Sequence, residues 1–288
     1  MAEVEGIGLG LRMELSKELL ERNPPEVRWV ELHPENYMRR GGRYETLLKT
    51  ARDRWPIVTH GLTMGYGAVA PFEREYLDPL ADFLKAAGTP WHSDHLCFAG
   101  SEGAFVHDLL PIPFNEEAAK TVAQRIAEAR DVTQTEIAFE NVSFYAPSEA
   151  SESDEPTFIR EVLERADAKM LLDINNVFVN SQNFGFDPKA WIDQIPPERV
   201  VQYHVAGHLV RDDGFRIDTH AEPVPSGVYE LVEYTIEKIG PKPLLLERDG
   251  NFPALDELLE EVRSLDRIYQ RAAARHQDLA TPKNRATP

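Results

Sequence analysis

A β-rich run followed by a stretch of helical periodicity recurs eight times along the chain, and this alternation narrows the fold more than any other feature. The β-rich runs are Gly6–Arg12, Arg28–His33, Pro56–His60, Trp91–Leu96, Glu136–Asn141, Lys169–Asn175, Val200–Val205 and Pro243–Asp249. Between them lie helical patterns. Leu255, Leu258, Leu259, Val262, Leu265 and Ile268 form an i, i+3, i+4, i+7 stripe with acids on the opposite face. Asn115, a good N-cap, opens another pattern through Ala119, Val122, Ala123 and Ile126. Such repetition predicts an α/β fold, a (β/α)8 TIM barrel filling a single domain over residues 1–271. A doubly wound open sheet is the alternative. It lacks its usual G-x-G-x-x-G: Gly6, Gly8 and Gly10 alternate within the first strand, where they leave room for neighbouring side chains in a tight barrel.

Composition excludes several classes of function. The 288 residues include 31 Lys and Arg against 49 Asp and Glu, a formal net charge of −18. A nucleic-acid binder normally carries a basic surface, so no nucleic-acid partner is expected. One cysteine, Cys97, rules out a disulfide framework. No apolar run reaches the ~18 residues of a membrane span, and the N-terminus lacks a signal-peptide core. These features predict a cytoplasmic protein with no membrane partner. Pro147–Pro156 is an acidic, Ser-rich loop after the fifth strand. Residues 272–288 lack apolar periodicity and are expected to form a disordered tail.

Ligand-type side chains gather where strands end. His60, His95, Glu140, Asp173, His204 and Glu247 close strands three to eight in turn. His33, Glu31 and Glu35 lie at the same level on strand two, Asp249 on strand eight, and His208 and His220 in the strand-seven loop. Residues two apart share a strand face, so Val58 with His60, Ala138 with Glu140, Leu171 with Asp173 and Leu245 with Glu247 each point one way. Each pair puts an apolar residue deeper and a ligand-type residue at the C-terminal rim, where barrel enzymes build their sites. Basic partners are scarce there. Arg12 ends strand one, and Arg248 should face away from Glu247. A ring of uncompensated carboxylates is costly without a cation. Mixed imidazole and carboxylate suits iron, manganese or zinc better than calcium or magnesium. Asp94 should face the side opposite His95, as a helix-facing contact or as support for the site. Cys97 reads as a buried, inert thiol, and Gly61–Gly67 as a barrel turn.

At these residues a family resemblance emerges. HPENYM (His33–Met38), SDHL (Ser93–Leu96), HDLLP (His107–Pro111), ENVSFY (Glu140–Tyr145), LDINNVFVN (Leu172–Asn180), FGFDP (Phe184–Pro188), HVAGH (His204–His208), IDTH (Ile217–His220) and ERD (Glu247–Asp249) occur in that order. They resemble the multinuclear non-haem iron-dependent oxidative enzymes (domain of unknown function 692), which include the oxidases of methanobactin and thiaglutamate biosynthesis. The resemblance covers roughly residues 6–270. It implies a TIM barrel holding two or three iron ions, with O2 as co-substrate. It places one iron on His60 and His95, with Glu140 bridging to a second on Asp173, His204 and Glu247. Asp218, His220 and Asn176 match a third site. Some members have histidine where this chain has Asn176, and an amide oxygen binds iron more weakly than imidazole does. His208 and Asp249 are candidates for orienting the ligands.

The resemblance also implies a substrate: a residue, most often cysteine, in a ribosomally made precursor peptide. Members usually work with a small, separate protein that recognises the leader peptide, and that partner is expected here. Two other readings compete. One is a divalent-metal hydrolase or isomerase of the endonuclease-IV or xylose-isomerase type. The other is a non-catalytic metal-binding protein with full coordination shells.

Overall fold

A (β/α)8 barrel needs eight short strands, each parallel to its neighbours and apolar on its outer face. In the computed structural model, which describes residues 3–101 and 104–280, the strands meet all three conditions. They are β1 Ile7–Gly10, β2 Trp29–Leu32, β3 Ile57–His60, β4 Trp91–His95, β5 Glu136–Glu140, β6 Lys169–Asp173, β7 Val200–Val205 and β8 Leu244–Leu246. Neighbours pair in parallel, and Ile7 of β1 stands opposite Leu244 of β8, which closes the sheet. The expected TIM barrel is the observed fold. The helices are α1 Met13–Arg22, α2 Arg43–Arg52, α3 Arg74–Ala87, α4 Glu116–Thr133, α5 Glu155–Ala166, α6 Ile174–Phe184, α7 Pro188–Ile192, α8 Ser226–Ile239 and α9 Leu255–Ala280. None is long and apolar enough to cross a membrane. Two-stranded hairpins follow β4 and β7, one pairing Phe98–Ser101 with Ala104–Leu110, the other Leu209–Val210 with Arg216–Ile217.

Strand alternation sorts the side chains into two cores. Leu9, Val30, Ile57, Phe139, Leu172 and Leu246 face outwards and pack with the helices. Inside, Trp29, Val58 and Leu245 form a separate apolar plug against Trp91. Gly8 makes room for it, because a Cβ there would lie 2.4 Å from Cε2 of Trp29. Above the plug the interior turns polar with Glu31, Ser93 and Gln202, all fully buried. The shift in register between Met170 and Leu171 turns Gln202 inwards, opposite Leu171. Above that layer lie the ligand-type side chains.

Local signals in the sequence set the helix starts. Asn115 Oδ1 accepts the Ala118 amide at 3.0 Å and opens α4. Asp154 accepts the Thr157 amide at 3.1 Å and opens α5. Asp173 both ends β6 and caps α6, accepting the Asn176 amide at 2.7 Å. That cap anchors one carboxylate oxygen at the rim of the barrel.

One expectation is corrected. The chain does not turn irregular at residue 272, since α9 runs on to Ala280. Beyond Leu265 the inner stripe continues through Tyr269 and Ala272, both buried. Alanine packs a helix face with little hydrophobicity, so the periodic signal fades while packing goes on. Residues 281–288 lie outside the described residues.

Overfilling the plug should be costly. Gly8→Ala forces Trp29 to move, and forced repacking of this kind typically costs about 1–3 kcal/mol. Urea denaturation should show the loss, and Trp29→Leu in the same background should recover part of it. An unchanged midpoint in the single variant would refute this account of the interior.

Candidate metal centre

Strand alternation delivers to the barrel mouth a set of side chains that do not satisfy one another. His60 Nε2 lies 3.1 Å from Glu140 Oε2, and His95 Nε2 lies 3.4 Å from the same oxygen. The other oxygen, Oε1, lies 3.1 Å from His204 Nδ1. His204 Nδ1 is also 3.0 Å from Glu247 Oε2. Two groups meet at Glu140: His60, His95 and Glu140, then Glu140, Asp173, His204 and Glu247; a third, His33, Glu247 and Asp249, lies beside them and is occupied by the Arg12 guanidinium's two ion pairs. In each group the ligand atoms lie within 4.8 Å of one another. Glu140 belongs to both groups and turns one oxygen towards each.

The donor set fits a cation better than a hydrogen-bond network. Glu140 Oε1, Asp173 Oδ2, His204 Nδ1, Asn176 Oδ1 and His220 Nε2 are buried without a hydrogen-bond partner among the described residues. The close approaches to Glu140 Oε1 and His204 Nδ1 therefore lack hydrogen-bond geometry. At metal–ligand distances of about 2.0–2.2 Å, neighbouring donor atoms stand about 3 Å apart, as these do. Electrostatics agrees. Burial, together with repulsion from Glu140 and Asp218, pushes the Asp173 carboxyl well above the ordinary carboxylate range. Burial opposes ionisation of Glu140 and Glu247 as well. The neighbouring histidines outweigh it and hold both carboxyls well below their ordinary value. Burial disfavours the His95 imidazolium, but Asp94 and Glu140 prevail and lift its pKa to about 9.

Supporting residues fix this set from behind. Asp94 is buried, accepts the Met64 amide at 3.0 Å and the His95 amide at 2.7 Å, and lies 3.3 Å from His95 Nδ1. It thus ties the Gly61–Gly67 turn to His95. Gly61 is required for that approach, because a Cβ there would lie 2.3 Å from Asp94 Oδ2. His60 Nδ1 lies 2.9 Å from Ser93 Oγ. Arg12 reaches Glu247 Oε1 at 2.8 Å and Asp249 Oδ1 at 2.6 Å. Arg248 points away from Glu247, to Glu261 at 2.8 Å. Glu35 sits in a short turn after β2 instead of on the strand, and accepts the Leu62 amide from the next loop and the Tyr76 hydroxyl from α3. Cys97 is buried, and burial raises its thiol pKa.

Of the residues matched to a third ion, Asp218 and His220 lie together, and Asn176 keeps a buried Oδ1 without a hydrogen-bond partner among the described residues. His220 Nε2 lies 2.8 Å from Asp218 Oδ1, and its Nδ1 lies 3.3 Å from Glu247 Oε2. The side chain that reaches Asp218 from α6 is Asn175, at 2.7 Å. Asn176 Nδ2 donates instead to the Asn141 carbonyl at 3.0 Å. His208 touches neither group and lies 2.8 Å from Asn175 Oδ1. Glu31 is absent from the ligand set that the strand ends predict. It lies one layer down, 2.9 Å from His204 Nε2. The signal for it is its place two residues after Trp29, on the inner face of β2.

Comparisons with known proteins agree with this architecture. A family model described as RiPP precursor modification enzyme MbnB/TglH/ChrH matches residues 6–270. A UPF0276 protein of Anaeromyxobacter sp. (strain Fw109-5) is 40% identical over 278 residues, 96% of this chain and 97% of the relative. A UPF0276 protein of Pseudomonas aeruginosa (strain UCBPP-PA14) is 38% identical over 93% of this chain and 94% of its own length. Among solved structures, L-ribulose 3-epimerase superposes with a TM-score of 0.59 at 10% identity, covering 99% of this chain and all of the other, 100%. Endonuclease IV from Thermus thermophilus gives 0.55 at 14% identity over 93% of this chain and 98% of its own. A xylose isomerase-like TIM barrel/4-hydroxyphenylpyruvate dioxygenase fusion protein gives 0.63 at 14% identity; this chain is covered to 99%, and the match spans 46% of the fusion. At such identities the structural likeness is one of fold alone.

The shared carboxylate sets the expected order of damage. Glu140→Ala should empty both groups, whereas His60→Ala should weaken one. Elemental analysis of metal per chain checks this, and full metal content in Glu140→Ala would remove Glu140 from its joint role. Binding should also depend on pH. A metal needs neutral His95, so protons compete below its pKa of about 9. Apparent affinity should therefore fall steadily as the pH is lowered from 9 to about 6. A flat titration over that range would contradict the assignment of His95 as a ligand.

Proposed function

The chain belongs to the MbnB/TglH/ChrH family of RiPP precursor modification enzymes, and from that premise we propose that it is an iron-dependent oxidase that uses O2 to modify a cysteine in a ribosomally made peptide. The observation that carries the reading is the pair of ligand groups joined by Glu140. His60, His95 and Glu140 hold one ion, and Glu140, Asp173, His204 and Glu247 hold the next. Iron bound there supplies one-electron chemistry with O2, and imidazole with carboxylate suits that metal.

The protein's own groups prepare the site for a thiol-bearing substrate. Asp173 and His204 are wholly buried, while the side chains of His95, Asp218 and His220 are 14%, 10% and 15% exposed. The substrate therefore enters on the His95 and His220 side, and the deeper groups stay out of water. Excluding bulk water strengthens every charge interaction inside the site. Cys97 is buried and its thiol is held protonated, so the reacting thiol comes from the peptide. The neighbouring cations favour its thiolate form. Asp94 and Arg12 hold His95 and Glu247 in place as the peptide binds. A separate leader-recognition protein brings the peptide, as is usual among the proteins this chain resembles.

Co-expression tests the reading. The chain is produced with short cysteine-containing peptides encoded beside it and any adjacent partner gene, and peptide mass is measured. A mass change with the wild type that vanishes in Asp173→Ala or His204→Ala is expected. An unmodified cysteine in every neighbouring peptide, despite a full iron complement, would reject the substrate. Full occupancy by zinc, with no activity gained on iron reconstitution, would favour a hydrolase or isomerase.

A further inference from the structure

Beneath the metal-facing side chains the barrel carries a second polar layer that the ligand set leaves unused. Glu31 from β2 and Gln202 from β7 are both fully buried there. Gln202 Oε1 accepts a hydrogen bond from Trp91 Nε1 at 2.8 Å. The indole nitrogen can only donate, so this contact fixes the orientation of the amide. The Gln202 NH2 group is thereby turned up towards Glu31 and donates to Glu31 Oε2 at 2.7 Å. The same oxygen lies 2.9 Å from His204 Nε2. Gln202 Nε2 is also 2.9 Å from His204 Nε2. An amide NH2 can only donate, and an Nε2 without hydrogen would set its lone pair against the Glu31 carboxylate oxygen at 2.9 Å with no hydrogen between them. His204 Nε2 must carry hydrogen and donate it to Glu31.

That requirement decides the other face of the ring. In the neutral ring that a metal requires, hydrogen on Nε2 leaves the lone pair at Nδ1. Nδ1 is the nitrogen that lies 3.1 Å from Glu140 Oε1 and 3.0 Å from Glu247 Oε2. The inference rests on the metal reading above and deepens it. We propose that Glu31 is the positioning residue of the centre: by accepting from Nε2 it commits Nδ1 of His204 to the metal and strengthens it as a donor. Gln202, held by Trp91, keeps the Glu31 carboxylate in register. Glu31 Oε1 has no hydrogen-bond partner among the described residues, so the carboxylate's effect is focused through Oε2 on His204. A negative group behind a ligating histidine raises its basicity, and loss of such a group typically costs 10–100-fold in metal affinity.

The test uses cobalt(II) alone, added to the metal-free full-length chain. Its visible bands report the donors at each site, independently of O2 or peptide. Wild type should titrate in two steps. Glu31→Gln keeps the side-chain shape and removes the charge. It should leave the first step, at His60, His95 and Glu140, unchanged. It should weaken the second about 10–100-fold and shift that step's visible band, which a purely structural role for Glu31 would not do. Gln202→Leu leaves Glu31 in place with one donor fewer, and should weaken the same step by less. It also decides the matter if Glu31→Gln does not fold. Both steps and both spectra as in wild type would overturn the proposal. A wild-type chain that takes up no cobalt at all would instead overturn the metal reading on which the proposal rests. The two failures are therefore told apart by the wild-type titration.

Discussion

Buried negative charge is the constraint on which the rest of this structure depends. Glu31, Glu140, Asp173 and Glu247 all lie inside one barrel, and none is more than 3% exposed. Moving one carboxylate into a low-dielectric interior costs several kcal/mol unless it is paired. Arg12 supplies a permanent positive charge, but it serves Glu247 and Asp249 at the edge of the set. Without further cations the centre must hold protons, which is why Asp173 is pushed towards its neutral form. A rigid scaffold is then a physical requirement. Loops would let these groups separate into water, whereas strands tied on both sides by ladders cannot. The apolar plug of Trp29, Val58 and Leu245 closes the barrel below them and gives them no retreat.

The four carboxylates differ in what their two oxygens do, and that difference assigns their roles. Asp173 anchors Oδ1 on the Asn176 amide and leaves Oδ2 free. Glu247 anchors Oε1 on Arg12 and turns Oε2 to His204. Glu31 commits Oε2 to Gln202 and His204 from below. Glu140 alone of the four anchors neither oxygen on a supporting group: one faces the His60 and His95 side, the other His204. A carboxylate with one tethered oxygen is placed to serve one ion. A carboxylate with both oxygens directed at ligand groups is placed to serve two. The asymmetry thus lies in the supporting contacts rather than in residue type.

Those supporting contacts also mark the limit of what the sequence can be made to say. The barrel is legible because eight strands with apolar outer faces leave a repeating pattern. The rim is legible because residues two apart share a face, so His60, Glu140 and Asp173 can be placed from Val58, Ala138 and Leu171. Glu31 is visible on the right strand but cannot be joined to His204, since strand stagger decides which inner layer meets which. The irregular register between β6 and β7, which brings Gln202 inwards, has no sequence signature. Asn175 and Asn176 are adjacent and chemically alike. Only the path of α6 after its cap decides that Asn175, and not Asn176, reaches Asp218. The last helical turns of α9 escape for a different reason: alanine packs without announcing itself.

The fold by itself does not choose the chemistry. An epimerase and an endonuclease share this barrel closely enough to superpose, yet identity with them is 10% and 14%. What separates one function from another on such a scaffold is the donor set and its access to solvent. In this chain the innermost donors, Asp173 and His204, are closed off by the barrel wall, while His95 and His220 border the opening. Any substrate must therefore meet the His60, His95 and Glu140 group, or the His220 side, before it can influence the deeper one. Glu140 belongs to both, and the His60 and His204 rings meet edge to face with centroids 5.3 Å apart. A charge or ligand change at the outer group is felt at the inner group through these contacts, in a medium where charge interactions are weakly screened. A charge brought to the mouth thus acts on the deeper group without touching it.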